Sequence, residues 1–174
     1  MRLVNFRRVV AAGLLLVLSG FPTFRPSDLL AQAGIPVGTA APVVTINDLN
    51  GKPVSLGDYI GRKPVYLQYW ATWCELCEAL YPQVRAARAK YGADVEFIGV
   101  NVTVNQSQSR VRRYIADHQP PFRTLWDDKG VGVRAYDVPG TSFVVIVDRA
   151  GKVAYTGVGK DQDLGAALKK VVGR

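Results

Sequence analysis

Val65-Tyr66-Leu67-Gln68-Tyr69-Trp70-Ala71-Thr72-Trp73-Cys74-Glu75-Leu76-Cys77 is the stretch from which the rest of the chain can be read. Val65 to Trp70 is apolar apart from Gln68, the pattern of a strand covered on both faces. Beyond it, Leu76, Leu80, Val84 and Ala87 recur at helical spacing and predict a helix from Glu75 to about Tyr91 with those four on its core face. Pro82 lies inside that helix and predicts a kink. A strand therefore turns into a helix at a Cys-x-x-Cys. Cys74 falls at the helix N-terminus, where unpaired N–H groups and the helix dipole favour a thiolate. Cys77 falls one turn on. The arrangement predicts Cys74 as the exposed nucleophile, Cys77 as the buried resolving thiol, and Trp73 as a flanking shield.

Plainer uses of the pair fit less well. These are the only two cysteines, and His118, the only histidine, lies far along the chain, so four zinc ligands are not in sight. A disulfide closing so short a loop removes little chain entropy and would be a poor staple.

The chain has 174 residues, 48% of them hydrophobic and 10% aromatic, enough for one domain with a proper core. Residues 1–33 read as a signal peptide. Arg2, Arg7 and Arg8 are basic, Val9 to Leu18 are apolar, and Ala31-Gln32-Ala33 offers a cleavage site. An uncleaved N-terminal anchor is the alternative, although ten apolar residues are short for a bilayer. Residues 34–174 then form the mature domain. Export, to the periplasm or another extracytoplasmic space, suits a dithiol, because disulfides occur there as substrates.

The net charge is +8, of which residues 1–33 carry +3 (four arginines against Asp28), leaving +5 on the mature part. Its basic residues are scattered except for Arg110, Arg112 and Arg113, a solvated helix face. No basic stripe with interleaved aromatics suggests nucleic acid. Nothing in the sequence calls for a cofactor.

Along the chain, Val43 to Ile46 reads as a first strand and residues 47–52 as a turn. Pro53 to Leu56 is extended, with one helical turn capped by Ser55. Val95 to Val102 is the next buried strand, Gln106 to His118 a helix, Arg123 to Trp126 a short extended piece. A short helix ends near Tyr136. Ser142 to Val147 and Lys152 to Thr156 form a hairpin, and Asp161 caps a final helix with Leu164, Ala167, Leu168 and Val171 inward. The fold class is α/β: a central mixed β-sheet flanked by helices on both faces, with an N-terminal β extension.

With these parts in place, residues 36–172 resemble the thioredoxin superfamily, in particular its exported TlpA/ResA-like thiol–disulfide oxidoreductases. The likeness rests on Tyr69 to Cys77, Pro82, Leu49-Asn50-Gly51-Lys52-Pro53-Val54-Ser55-Leu56, Val100-Asn101-Val102 and Val147 to Val153. It implies a thioredoxin-like fold and reversible oxidation of Cys74 and Cys77. It also implies thiol–disulfide exchange with exported protein partners, usually as a reductase recharged by a membrane electron donor. Such proteins commonly serve cytochrome c or copper-centre assembly.

Three departures from the family stand out. A buried carboxylate is replaced by Gln68, and a glutamate of many relatives by Leu80, so neither position can take a proton from Cys77. Glu75 and Glu78 remain nearby, either as acids complementing the helix N-terminus or as a proton relay. Their charge disfavours the thiolate and limits how far the Cys74 pKa falls. Finally, a gap-free match from Tyr136 to Asp148 puts Ser142 where relatives carry a cis-proline. Pro139 can take that place only with compensating shifts. A serine there prefers a trans peptide and leaves room beside the sulfurs.

Two rival activities follow from the same residues. Two thiolates could hold Cu(I), making the chain a metal-handling module. A thiol peroxidase is disfavoured, since Ala71 stands where that chemistry uses a hydroxyl.

Overall fold

The computed structural model describes residues 34–173; the expected signal segment, residues 1–33, lies outside them. Seven strands form one mixed sheet: β1 (Thr45–Asp48), β2 (Pro53–Ser55), β3 (Val65–Trp70), β4 (Glu96–Asn101), β5 (Arg123–Trp126), β6 (Phe143–Val147) and β7 (Val153–Val158). Their spatial order is β2-β1-β5-β4-β3-β6-β7. Four helices flank it: α1 (Glu75–Tyr91), α2 (Gln108–His118), α3 (Val131–Ala135) and α4 (Leu164–Val172).

β3 is buried along its whole length, as its apolar run predicts. It pairs in parallel with β4 and antiparallel with β6. Alternate residues of the central strands face two cores. On one side Tyr66, Trp70, Val144 and Ile146 pack under α1, α2 and α4, together with Cys74 and Cys77. On the other, Leu67, Tyr69, Val100 and Val145 pack with Leu56 and Tyr136. Gly99 on β4 lets two aromatics approach: a Cβ there would collide with the Phe122 ring and the Trp70 indole.

The N-terminal extension is a β1–β2 hairpin joined to the sheet through β5. It begins two residues later than the apolar run Val43 to Ile46 predicts. The ladder decides this: Asn47 pairs with Trp126 and Asp48 with Leu125, so polar residues carry the strand. Asp48 Oδ1 then accepts the N–H groups of Asn50 (2.8 Å) and Lys52 (3.0 Å), which closes the turn.

Three further expectations are corrected. Leu76 is 49% exposed; Cys77, Leu80, Tyr81, Val84, Ala87 and Tyr91 form the buried stripe of α1, and Leu76 lies off it. The cap of α4 is Asp163, whose carboxylate accepts the Ala166 N–H at 2.9 Å, while Asp161 pairs with Lys160. Gln106 precedes α2, whose cap is Ser107.

Asp127, 2% exposed, accepts two first-turn N–H groups of α3, from Val131 (2.7 Å) and Val133 (3.0 Å). Asp127→Ala leaves both part-buried donors without their carboxylate partner. A loss of about 2 kcal/mol is expected, read as a lower urea midpoint with an unchanged slope.

Candidate active site

Cys74 and Cys77 are joined in a disulfide, their Cα atoms 5.3 Å apart. Cys74 is the cap residue of α1, with extended backbone (φ −91°, ψ 91°), and its Sγ accepts the Cys77 N–H at 3.1 Å. The chain enters the helix through a tight turn in which the Cys74 N–H donates to the Ala71 carbonyl at 3.2 Å. The sulfur of Cys74 thus takes the place of an oxygen in a helix cap, satisfying an N–H that a helix end leaves open.

Cys77 is fully buried, and Cys74 is only 7% exposed in this disulfide form. The expectation of an openly exposed Cys74 is therefore corrected: the helix start folds its sulfur inward, into the same core as Cys77. Trp73 is 44% exposed, and its indole N–H donates to the Val104 carbonyl at 2.8 Å. It borders a groove of about 470 Å³ lined also by Val104, Val133, Val138 and Thr141.

Gln68 is fully buried on β3. Its Oε1 accepts the Tyr66 hydroxyl at 2.8 Å, and its Nε2 lies 3.5 Å from the Cys77 carbonyl. Burial pushes the Tyr66 pKa well above the ordinary tyrosine value, so that hydroxyl stays a donor. A neutral pair thus stands behind Cys77 in a buried setting.

Ser142 is fully buried immediately before β6, with φ +63°. Its N–H donates to the Tyr69 carbonyl at 2.9 Å. Cys77 Sγ lies 3.9 Å from that same oxygen, so Ser142 and Cys77 share one neighbour. The Ser142 carbonyl accepts the Gly159 N–H (3.2 Å) and the Gln162 side chain (3.3 Å), which together hold the left-handed backbone. Its hydroxyl has no hydrogen-bond partner. Pro139 is exposed in the preceding loop, and the described residues contain no cis peptide bond.

Glu75 is exposed on the first turn of α1. Glu78 turns away to His118, 2.9 Å from its Nδ1, and to the Tyr114 hydroxyl at 3.4 Å. The cysteines, Trp73, Gln68 and Ser142 are thus brought together, while Glu75, Glu78 and Pro139 sit at the margin. Arg112 bonds the Leu49 carbonyl and Asn50. Among the described residues no group of three or more His, Cys, Asp and Glu side chains could hold a metal ion.

Residues 36–171 match the Redoxin family. The chain belongs to the Redoxin family. It is 29% identical over 167 residues to the thiol-disulfide oxidoreductase ResA of Geobacillus thermodenitrificans, an alignment covering 94% of each chain. It is also 29% identical over 151 residues to ResA of Bacillus subtilis, covering 84% of this chain and 82% of that one. A crystal structure of a candidate thiol:disulfide interchange protein DsbE from Chlorobium tepidum superposes with a TM-score of 0.68 at 29% identity. It covers 79% of this chain and 96% of its own. This Redoxin is therefore a TlpA/ResA-like member of the thioredoxin superfamily with a thioredoxin-like fold. It is a thiol–disulfide oxidoreductase with a Cys74-x-x-Cys77 pair.

Sequence reading missed several residues that shape this site. Gln106 accepts the Thr72 N–H and donates to Asn101 at the end of β4, Gln162 pins Ser142, and Val104 meets Trp73. None lies in a motif, and each acts across a large sequence separation, so no local signal marks them.

Proposed function

We propose that this Redoxin acts outside the cytoplasm as a protein-disulfide reductase, with residues 34–174 as the working domain after loss of residues 1–33. The reduced Cys74 thiolate attacks one sulfur of a partner's disulfide, forming a mixed disulfide and releasing the partner's other sulfur as a thiolate. The Cys77 thiolate then attacks Cys74 Sγ. This releases the partner as a dithiol and leaves the Cys74–Cys77 disulfide. Two electrons pass from enzyme to partner, and a membrane electron donor restores the dithiol.

The observation that carries the reading is the sulfur of Cys74 in the cap of α1, accepting the Cys77 N–H. That N–H and the positive end of the helix favour a thiolate at Cys74, the form that attacks disulfides. The names of the ResA relatives, thiol-disulfide oxidoreductases, support the same chemistry. Among the described residues no helix is long and apolar enough to cross a membrane.

The deciding experiment is the equilibrium reduction potential of the pair in residues 34–174, measured against defined thiol buffers. A value near about −270 mV is expected for a reductase, whereas about −120 mV would make the protein a disulfide donor and overturn the direction proposed here.

A further inference from the structure

Residues 102–106, which lead from β4 to α2, concentrate unusual backbone beside the redox pair. Thr103 has φ +58° and Asn105 φ +54°. Positive φ is uncommon for residues with side chains and an outlier for a β-branched one such as threonine. The Val104 N–H donates to the Val102 carbonyl at 2.8 Å. With Thr103 between them at positive φ, this is a γ-turn of the rarer, strained hand. Such backbone persists only where surrounding contacts over-determine it, and it gathers at functional sites.

The contacts here run to the active-site turn. Thr72 and Trp73 are the two central residues of the turn from Ala71 to Cys74, and each is tied to this segment. The Thr72 N–H donates to Gln106 Oε1 at 2.9 Å, and the Trp73 indole donates to the Val104 carbonyl at 2.8 Å. Gln106 is itself anchored. Its Nε2 donates to Asn101 Oδ1 at 2.9 Å, and that oxygen also accepts the Thr103 N–H at 3.1 Å. Asn101 is fully buried and pairs with Trp70 in the β3–β4 ladder. An unbroken path of hydrogen bonds therefore runs from the sheet through Asn101 and Gln106 to the peptide two residues before Cys74.

We propose that Gln106 is a positioning residue for the redox pair, holding the Thr72 peptide so that Cys74 Sγ keeps the Cys77 N–H once the disulfide is opened. In the oxidised form the S–S bond itself holds Cys74. In the dithiol form that restraint is gone, and the turn must hold the sulfur in the helix cap. The clamp therefore stabilises the dithiol form more than the disulfide. Weakening it makes the couple more reducing and the Cys74 thiolate scarcer. The inference rests on Cys74 and Cys77 being the redox couple and is independent of the direction of electron flow. It concerns a difference between variants, whereas the proposed direction concerns the absolute potential.

Gln106→Ala and Gln106→Met test it. The methionine keeps the length and approximate volume but offers no comparable acceptor, and both leave the Ser107 cap of α2 in place. Both variants are expected to shift the equilibrium with glutathione about tenfold toward the disulfide, or roughly 30 mV more negative for a two-electron couple. Alkylation of Cys74 at neutral pH should slow, and melting of the oxidised protein should change little. Unchanged potentials overturn the proposal. So does a shift in Gln106→Ala with a wild-type value in Gln106→Met, which would assign the effect to packing. Where the Gln106 variants do not fold, Trp73→Phe removes the second tie from an exposed position. A shift of the same sign supports the clamp, and an unchanged potential overturns it.

Discussion

Cys74→Ser is expected to lose disulfide-reductase turnover by roughly 10³-fold or more, the scale on which enzymes fail when their nucleophile is removed. The hydroxyl can replace the sulfur in the cap of α1, because serine is itself a favoured cap residue. The fold should therefore survive and the chemistry should not. Cys77→Ser should behave differently. Cys74 still attacks, but nothing within the chain resolves the product, so a covalent mixed disulfide with the partner accumulates and vanishes on adding a thiol reductant. Non-reducing electrophoresis reads both outcomes. Retained turnover in Cys74→Ser, or trapping by Cys74→Ser in place of Cys77→Ser, would reverse the roles given to the two sulfurs.

Gln68→Glu is expected to change both rate and stability. The new carboxyl would replace a fully buried neutral side chain that accepts the Tyr66 hydroxyl and lies next to the Cys77 carbonyl. As a proton acceptor for the Cys77 thiol it should speed resolution of the mixed disulfide by about 10²-fold, the lower end of general-base effects. Burial disfavours the charged form, so the folded-state pKa of this carboxyl rises above its unfolded value of about 4.3. Below that pH the carboxyl is neutral in both states and costs nothing on this account. As pH climbs toward the raised pKa, the unfolded chain ionises first and stability falls. Above the raised pKa the penalty is constant. A shift of about two units corresponds to about 3 kcal/mol, visible as a lower urea midpoint at pH 8 than at pH 4 relative to wild type. An unchanged resolution rate would mean that the Cys77 proton leaves by another route.

Much of this molecule could be read along the chain because the deciding signals are local. An apolar run such as Val65 to Trp70 has to be buried, and that alone makes it a central strand. A Cys-x-x-Cys at the junction with a helix places one sulfur at the helix end whatever packs around it, and the helix N-terminus then selects that sulfur for thiolate chemistry. The serine cap at Ser55 and the hairpin after Val147 follow from the same short-range chemistry.

The rest was decided by partners far apart in sequence. Leu76 has the right residue type and spacing for a core position, yet the buried face of α1 is set by where the sheet lies, and Leu76 falls outside it. Asp161 has the residue type of a cap, yet it is the Asp163 carboxylate that meets the first turn of α4. The backbone of Ser142 is held in the left-handed region by Tyr69 on β3 and by Gly159 and Gln162 on the loop between β7 and α4, two segments distant from each other in sequence. Gln106 reaches Thr72 across 34 positions. Composition, periodicity and spacing therefore determined the α/β class, the redox pair and the helix that activates it. The tertiary structure decided which polar side chains converge on that pair, because hydrogen bonds between distant segments depend on how the sheet is ordered and leave no periodic trace in the sequence.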